Sequence, residues 1–257
     1  MRRTTLSMAR WNGAGNPASR PHTSPPGDLM TDYYVQNLSS DRLHQCYELA
    51  SPRVRRYLEA EIQHVLARLE PADSVLELGC GYGRVALRLA ERARKVVGID
   101  VSPRSVEAAR QLAGPGSRCE FHCMDALELG FPEASFDAVV CIQNGICAFR
   151  VDGEALLAEA LRVTRPGGRL LFSSYSEKFW LDRLAWFEAQ ASAGLLGPLD
   201  LPACRDGVIA CTDGFKSGSL SPGAFRDLCA QVGVSPEIRE VDDSSLFCEI
   251  VRPGASS

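Results

Sequence analysis

Residues 75–83 read Val75-Leu76-Glu77-Leu78-Gly79-Cys80-Gly81-Tyr82-Gly83, and one helix length later the chain reads Val96-Val97-Gly98-Ile99-Asp100. A continuous aliphatic run of this kind is the pattern of a parallel strand buried on both faces, and the carboxyl end of such a strand is where an open α/β sheet binds its ligand. Gly79, Gly81 and Gly83 then let a ligand approach bare backbone, which side chains would prevent. Val85, Leu89 and Ala93 recur at helical spacing after the turn. A helix over 83–93 therefore packs one face on the sheet and aims its positive end at the ligand.

Asp100 closes the second aliphatic run roughly 20 residues after the first glycine, where a carboxylate accepts hydrogen bonds from both hydroxyls of a ribose. The glycine spacing departs from the dinucleotide fingerprint, because the third glycine follows the second by two residues and no pyrophosphate-cradling Gly-x-x-Gly is present. Glu77 also argues against phosphate. Two residues before the first glycine, it would repel a diphosphate but pair, directly or through water, with an ammonium or sulfonium cation. Ribose, adenine and positive charge together describe S-adenosylmethionine.

With these features the chain resembles the class I S-adenosylmethionine-dependent methyltransferases. The resemblance rests on Glu77 to Gly83, on Val97-Gly-Ile-Asp100-Val-Ser, on Cys123-Met-Asp125-Ala126, on Phe136-Asp-Ala-Val-Val-Cys141 and on Arg165-Pro-Gly-Gly-Arg-Leu-Leu171, in that order. It covers about residues 74–175 and implies a doubly wound, mostly parallel seven-stranded sheet of Rossmann-like methyltransferase type. It further implies that the backbone of Gly79, Cys80 and Gly81 lies along the methionyl part of the cofactor, with Glu77 near its ammonium and Gly83 completing the turn. Asp100 would hold the ribose, Val101 would pack on adenine, Asp125 would accept from the exocyclic amine, and the Ala126 amide would donate to a ring nitrogen. Cys141 opens the segment to Cys147 that would face the methyl group. Tyr33 and Tyr34 correspond to a region whose aromatic residue, in similar enzymes, closes over the methionyl end.

The 257 residues are 45% hydrophobic and 23% charged, enough for one large core, and nothing in the pattern suggests two domains. A net charge of −4 gives no general attraction to nucleic acid, and Arg53, Arg55, Arg56 and Arg68 alternate with Glu59, Glu61 and Glu70 as on a solvated helix face. The ten cysteines lack the Cys-x-x-Cys spacing of a zinc site and several fall in apparent core strands. We read them as reduced, with no metal. The absence of a secretory segment and of a spanning apolar run leads to the expectation of a cytoplasmic protein that does not enter the membrane. Residues 1–29 are rich in Arg, Ser, Pro and Gly without periodicity, which predicts a disordered extension. Met30 precedes the first patterned residues, so translation of the native protein is expected to start there, leaving 30–257 as one domain.

Helices are expected at 41–49 and 52–69, the second with Ser51 as cap and Pro52 at its first position. They would form a cover spanning 30–70. Strands at 74–79, 95–100, 118–122, 136–142 and 168–174 alternate with helices at 103–113 and 152–163, and Pro166-Gly167-Gly168 reads as the turn into the fifth strand. The alternation breaks at 176–220, an insertion with an aromatic helix at 177–191 and a hairpin turning at Asp213-Gly214. A helix from Ser221-Pro222 and strands near 236–241 and 246–251 complete the pattern.

Methyl transfer from a sulfonium is an in-line displacement that depends on alignment and desolvation, so a strong base is optional. Candidate residues at the acceptor are Asn144, in Ile142-Gln143-Asn144-Gly145 after the fourth strand, Tyr175 just beyond the fifth, and His44 in the first covering helix. The prolines of an Asn-Pro-Pro-aromatic motif are missing after the fourth strand, which favours a small-molecule acceptor over a nucleic-acid base. The acceptor atom is left open among oxygen, nitrogen and sulfur. Two alternatives stand beside this reading: a thiol-dependent, arsenite-type metalloid methyltransferase using scattered cysteines such as Cys204 and Cys211, and a non-catalytic S-adenosylmethionine-binding protein. The oligomeric state is not legible.

Overall fold

The computed structural model describes residues 41–254. The elements in chain order are α1 (Asp41–Glu48), α2 (Pro52–Leu66), β1 (Ser74–Leu78), α3 (Arg84–Leu89), β2 (Lys95–Asp100), α4 (Pro103–Ala113), β3 (Cys119–Cys123), β4 (Phe136–Cys141), α5 (Gly145–Ala148), α6 (Gly153–Val163) and β5 (Thr164–Tyr175). After a 3-10 turn at Glu177–Phe179 come α7 (Trp180–Ser192), the short strands β6 (Ile209–Ala210) and β7 (Lys216–Ser217), α8 (Pro222–Gln231), β8 (Glu237–Val241) and β9 (Ser245–Val251). Among the described residues no helix is long and apolar enough to cross a membrane.

The main sheet has seven strands in the order β3-β2-β1-β4-β5-β9-β8. Strands β1 to β5 pair in parallel, and β9 runs antiparallel to both β5 and β8. The strand order reverses between β1 and β4, so the crevice beyond their carboxyl ends is the topological switch point where such sheets bind ligands.

Alternation along the strands feeds two cores. On one face Leu76, Leu78, Val97, Ile99, Val139 and Leu170 meet Leu156, Leu157 and Ala160 of α6 and Phe225 of α8. On the other Val75, Val96, Ala138, Val140 and Leu171 meet Ile62 and Val65 of α2, Val85 and Leu89 of α3, and Val106 and Ala109 of α4. Each fully buried Leu, Ile or Val contributes roughly 1.5–3 kcal/mol. A third cluster joins Cys46, Tyr57, Tyr175, Phe179, Trp186, Phe187 and Phe215, bringing α1, α2 and the 176–220 segment together above the sheet.

Three expectations change. Pro166-Gly167-Gly168 is not a free turn, because α6 ends at Val163 and β5 starts at Thr164, so the glycines fall inside the strand. There Gly167 N–H donates to Arg252 O (2.8 Å), and the β4–β5 register shifts between Phe136 and Ala138. The expected 83–93 helix stops at Leu89. The arginine row is not simply solvated: Arg53 on α2 pairs with Asp242 at 2.7 Å and Arg68, just past α2, with Glu249 at 2.6 Å, fastening this region to the β8–β9 hairpin. The disordered extension, the Met30 start and Tyr33 and Tyr34 lie outside the described residues.

Candidate active site

Beyond Leu78 the chain leaves the sheet through Gly79, whose φ of +73° suits glycine. A Cβ there would lie 2.6 Å from Cε1 of Phe149, so no side chain fits. Cys80 N–H donates to Ile99 O (2.8 Å), which ties the turn to β2. The Asp100 carboxylate extends that tie, with Oδ2 accepting from Gly81 N–H at 2.9 Å and Oδ1 from Ser102 N–H at 2.8 Å. Two loops are thereby set around one carboxylate. Burial raises its pKa, and the two amides lower it.

Glu77 is buried, and among the described residues its Oε2 has no hydrogen-bond partner. Burial pushes its pKa up to about 8, against the pull of the Arg84 cation, while Asp100 adds to the rise. A buried carboxyl with an orphaned oxygen is completed by a cationic ligand group, which restores its charge.

These residues line a cavity of about 260 Å³ together with Val101, Asp125 and Ala126 at one end and Tyr47, Arg84, Gln143, Asn144, Tyr175 and Trp186 at the other. Val101 is an apolar side chain left 45% exposed, and it offers a shelf at the rim. Asp125 spends Oδ1 on a local turn, accepting from Leu127 N–H at 2.9 Å.

At the opposite end Gln143 Oε1 accepts from Arg84 Nη2 at 2.6 Å and from Tyr47 OH at 3.3 Å, with the guanidinium 4.4 Å above the Tyr47 ring. Tyr47 and Trp186 have ring centroids 6.1 Å apart, and Phe187 and Phe215 continue the wall. Trp186 Nε1 donates to Cys46 O at 2.9 Å, and Arg42 Nη2 donates to Gly194 O at 2.8 Å. These bonds join α1 to the segment after β5.

The three acceptor-side candidates fare differently. Tyr175 lines the cavity, with the buried Arg183 guanidinium 4.1 Å above its ring. Burial pushes its phenol up to about 12, so at neutral pH it is a donor and not a base. Asn144 also lines the cavity, but its amide serves the scaffold: Nδ2 donates to Gly218 O at 3.0 Å, and Oδ1 accepts from Ser174 Oγ at 2.8 Å. His44 is placed elsewhere. Its side chain is 56% exposed and 3.6 Å from Glu48; it does not line the cavity itself but packs edge-on at 5.5 Å behind Tyr82, which does.

Two cofactor-side candidates also fall outside the lining. Cys141 is fully buried in the sheet core, its Sγ beneath Gly145, because strand alternation turns it toward α6. Gly83, at φ +87°, faces Phe121 and Ala109, so its missing side chain serves packing. Among the described residues no group of three or more His, Cys, Asp and Glu could hold a metal ion, which leaves the thiol-dependent alternative without a site there.

Sequence reading missed Arg84, Tyr47, Glu61 and Arg183. Glu61 carried a signal: with Leu58, Ile62 and Val65 it shares one helical stripe, where a carboxylate has to be paired or partnered. It accepts from Ser245 Oγ and from Gln143 N–H, each at 2.6 Å, and burial pushes its pKa up to about 7.

Residues 75–168, which hold the glycine turn, Asp100 and Asp125, match the family model described as a methyltransferase domain. That stretch is similar to the class I S-adenosylmethionine-dependent methyltransferases. The chain is 31% identical over 160 residues to the 2-methyl-6-phytyl-1,4-hydroquinone methyltransferase of Synechocystis, covering 59% of this chain and 48% of the relative. It is 44% identical over 109 residues to the demethylmenaquinone methyltransferase of Thermus thermophilus, covering 41% and 49%. The chain spans about half the length of these curated relatives. The class I fold is shared with magnesium protoporphyrin IX methyltransferase from Synechocystis, solved with S-adenosylhomocysteine, at a TM-score of 0.59 and 21% identity over 86% of this chain and 97% of that one.

Proposed function

We propose that the protein is an enzyme that transfers the methyl group of S-adenosylmethionine to a small, partly apolar molecule. The observation that carries this reading is the junction of two unlike half-sites in one cavity. One half is bare glycine backbone with two acidic side chains, Glu77 and Asp100; the other is an aromatic chamber of Tyr47, Tyr175, Trp186, Phe187 and Phe215. The relatives named above act, by their names, on a hydroquinone, a menaquinone precursor and a porphyrin, all ring compounds.

In this reading Gly79 to Gly81 receive the methionyl chain, Glu77 its ammonium, Asp100 the ribose hydroxyls, and Val101, Asp125 and Ala126 the adenine. The bound cofactor supplies an electrophilic methyl on a sulfonium, which needs an aligned nucleophile. The protein aligns the acceptor through the aromatic wall and excludes water by closing α1 over the 176–220 segment. That segment, in the proposed unit 30–257 with its 30–70 cover, selects the acceptor.

The test is incubation with methyl-labelled S-adenosylmethionine and host metabolite extract, followed by mass spectrometry for a labelled product. Calorimetry with S-adenosylhomocysteine on wild type and Asp100→Ala accompanies it. Hydrogen bonds to a charged acceptor are worth about 1.5–3 kcal/mol each, so losing two ribose bonds weakens binding by roughly 100-fold or more. Unchanged affinity in the variant, or no heat with either compound in wild type, would overturn the assignment.

A further inference from the structure

We infer that Arg84 and Gln143 form a subsite for an oxyanion on the methyl acceptor, a carboxylate or ionised phenol borne on an aromatic body. This deepens the methyl-transfer reading and rests on it.

Gln143 Oε1 is occupied by Arg84 Nη2 and Tyr47 OH, and this fixes the orientation of the amide, leaving its nitrogen on the other side. Among the described residues that nitrogen, Nε2, has no hydrogen-bond partner, and neither does Nε of Arg84; both are shielded from water. Two donors, one cationic, on hydrogen-bonded side chains that line a single cavity are therefore left without an acceptor among the described residues. Buried donors in that state are costly, and an anionic oxygen satisfies both. The Tyr47 ring, 4.4 Å from the guanidinium carbon, and the bond to Gln143 Oε1 restrain the guanidinium at the cavity wall.

The aromatic chain from Arg84 places this subsite beside the acceptor chamber. Arg84 lies over Tyr47, Tyr47 packs on Trp186 at 6.1 Å, Trp186 on Phe187 at 6.0 Å, and Phe187 on Phe215 at 6.0 Å. An aromatic molecule in that chamber presents its polar edge to the guanidinium.

The chemistry of the lining points the same way. Among the described residues no histidine or lysine lines the cavity, the Asn144 amide is committed at both ends, and the Tyr175 phenol holds its proton at neutral pH. An acceptor that arrives ionised needs no base, but it does need a cation to hold it in an apolar chamber. The anionic oxygen gives an electron pair to the methyl carbon, the carbon–sulfur bond breaks with its pair kept on sulfur, and no proton is released. The product oxygen is then an uncharged ester or ether, which Arg84 holds less tightly than the acceptor, favouring release.

The probes are 1-naphthoate and 1-naphthamide, matched in shape and different in charge, titrated into protein saturated with S-adenosylhomocysteine. Wild type is expected to bind the naphthoate about tenfold or more tightly than the amide. Arg84→Gln abolishes that preference while the protein still binds S-adenosylhomocysteine, compared at a pH above 8 where Glu77 is ionised. Gln143→Glu, which keeps the packing and supplies an internal carboxylate to Arg84, abolishes it as well. Equal binding of the two probes by wild type, or no binding of naphthoate, overturns the subsite alone. So does an Arg84→Gln protein that keeps the naphthoate preference and loses affinity for S-adenosylhomocysteine, since Arg84 would then hold the cofactor's own carboxylate. Failure of wild type to bind S-adenosylhomocysteine sinks the methyl-transfer reading, and the subsite with it.

Discussion

The carboxylate of Glu61, in the middle of α2, accepts a 2.6 Å hydrogen bond from the backbone N–H of Gln143 at the end of β4. A helix packed over the sheet thus fixes the segment that carries one wall of the cavity. Glu61→Ala leaves that amide with only Ser173 Oγ and strands Ser245 Oγ, and is expected to cost about 2 kcal/mol. Glu61→Gln keeps an acceptor and costs about half as much. Urea unfolding of both variants measures the difference; equal losses would mean that the shape of the side chain matters and its oxygen does not.

Glu77 gives a pH dependence with a definite sign. Its carboxyl ionises near 4.5 unfolded and at about 8 in the fold, so between those values the folded protein holds more protons than the unfolded chain. Its contribution therefore favours folding at the acid end of that window and is lost as pH rises through about 8. The stability difference between wild type and Glu77→Gln should shift accordingly, and Glu61 adds the same slope up to about 7. Affinity for S-adenosylhomocysteine moves the other way, rising with pH toward about 8 as the carboxylate ionises, whereas Glu77→Gln binds weakly and without that slope. A flat wild-type profile would show that this carboxyl does not meet the cation.

Gly79→Ala meets both a left-handed backbone and the ring of Phe149. The expected loss is about 2 kcal/mol of stability and at least about tenfold in affinity for S-adenosylhomocysteine. Adding Phe149→Leu removes the collision but not the backbone strain, so the double variant should recover only part of the stability. Full recovery in thermal melts would assign the whole cost to the ring.

Arg183 is buried on α7 and donates to Gly207 O at 2.9 Å, Ser217 O at 2.7 Å and Gly218 O at 3.1 Å. Arg183→Met leaves these carbonyls without their cation, at a cost of about 3 kcal/mol confined to the 176–220 segment. Amide hydrogen exchange should accelerate at 209–217 and stay unchanged at 74–100. Uniform acceleration would show that the segment and the sheet unfold as one unit.

The sheet was legible because its signals are local. Aliphatic runs at Val75 and Val96, glycine at Gly79 and Asp100 at a strand end are written in consecutive residues and carry their meaning there. The acceptor end was not, because its partners are brought together from far apart in the chain: Glu61 meets Gln143, Arg84 meets Tyr47, and Arg183 meets Ser217. His44 illustrates the limit. A helical histidine near a predicted pocket faces inward or outward according to a rotation of one helix, and the apolar stripe of α1 is too short to fix it; the structure turns Cys46 inward and His44 to solvent. Cys141 failed for a related reason, since one step of strand alternation separates the ligand face from the core.

The bonds from Trp186 to Cys46 and from Arg42 to Gly194, across 140 and 152 residues of chain, mean that the roof over the acceptor is a shared construction, assembled from two distant stretches. Neither stretch encloses anything alone. Edits to either one can reshape the chamber while the glycine floor and Asp100 stay as they are, so selectivity in such a protein can drift without rebuilding its grip on the methyl donor.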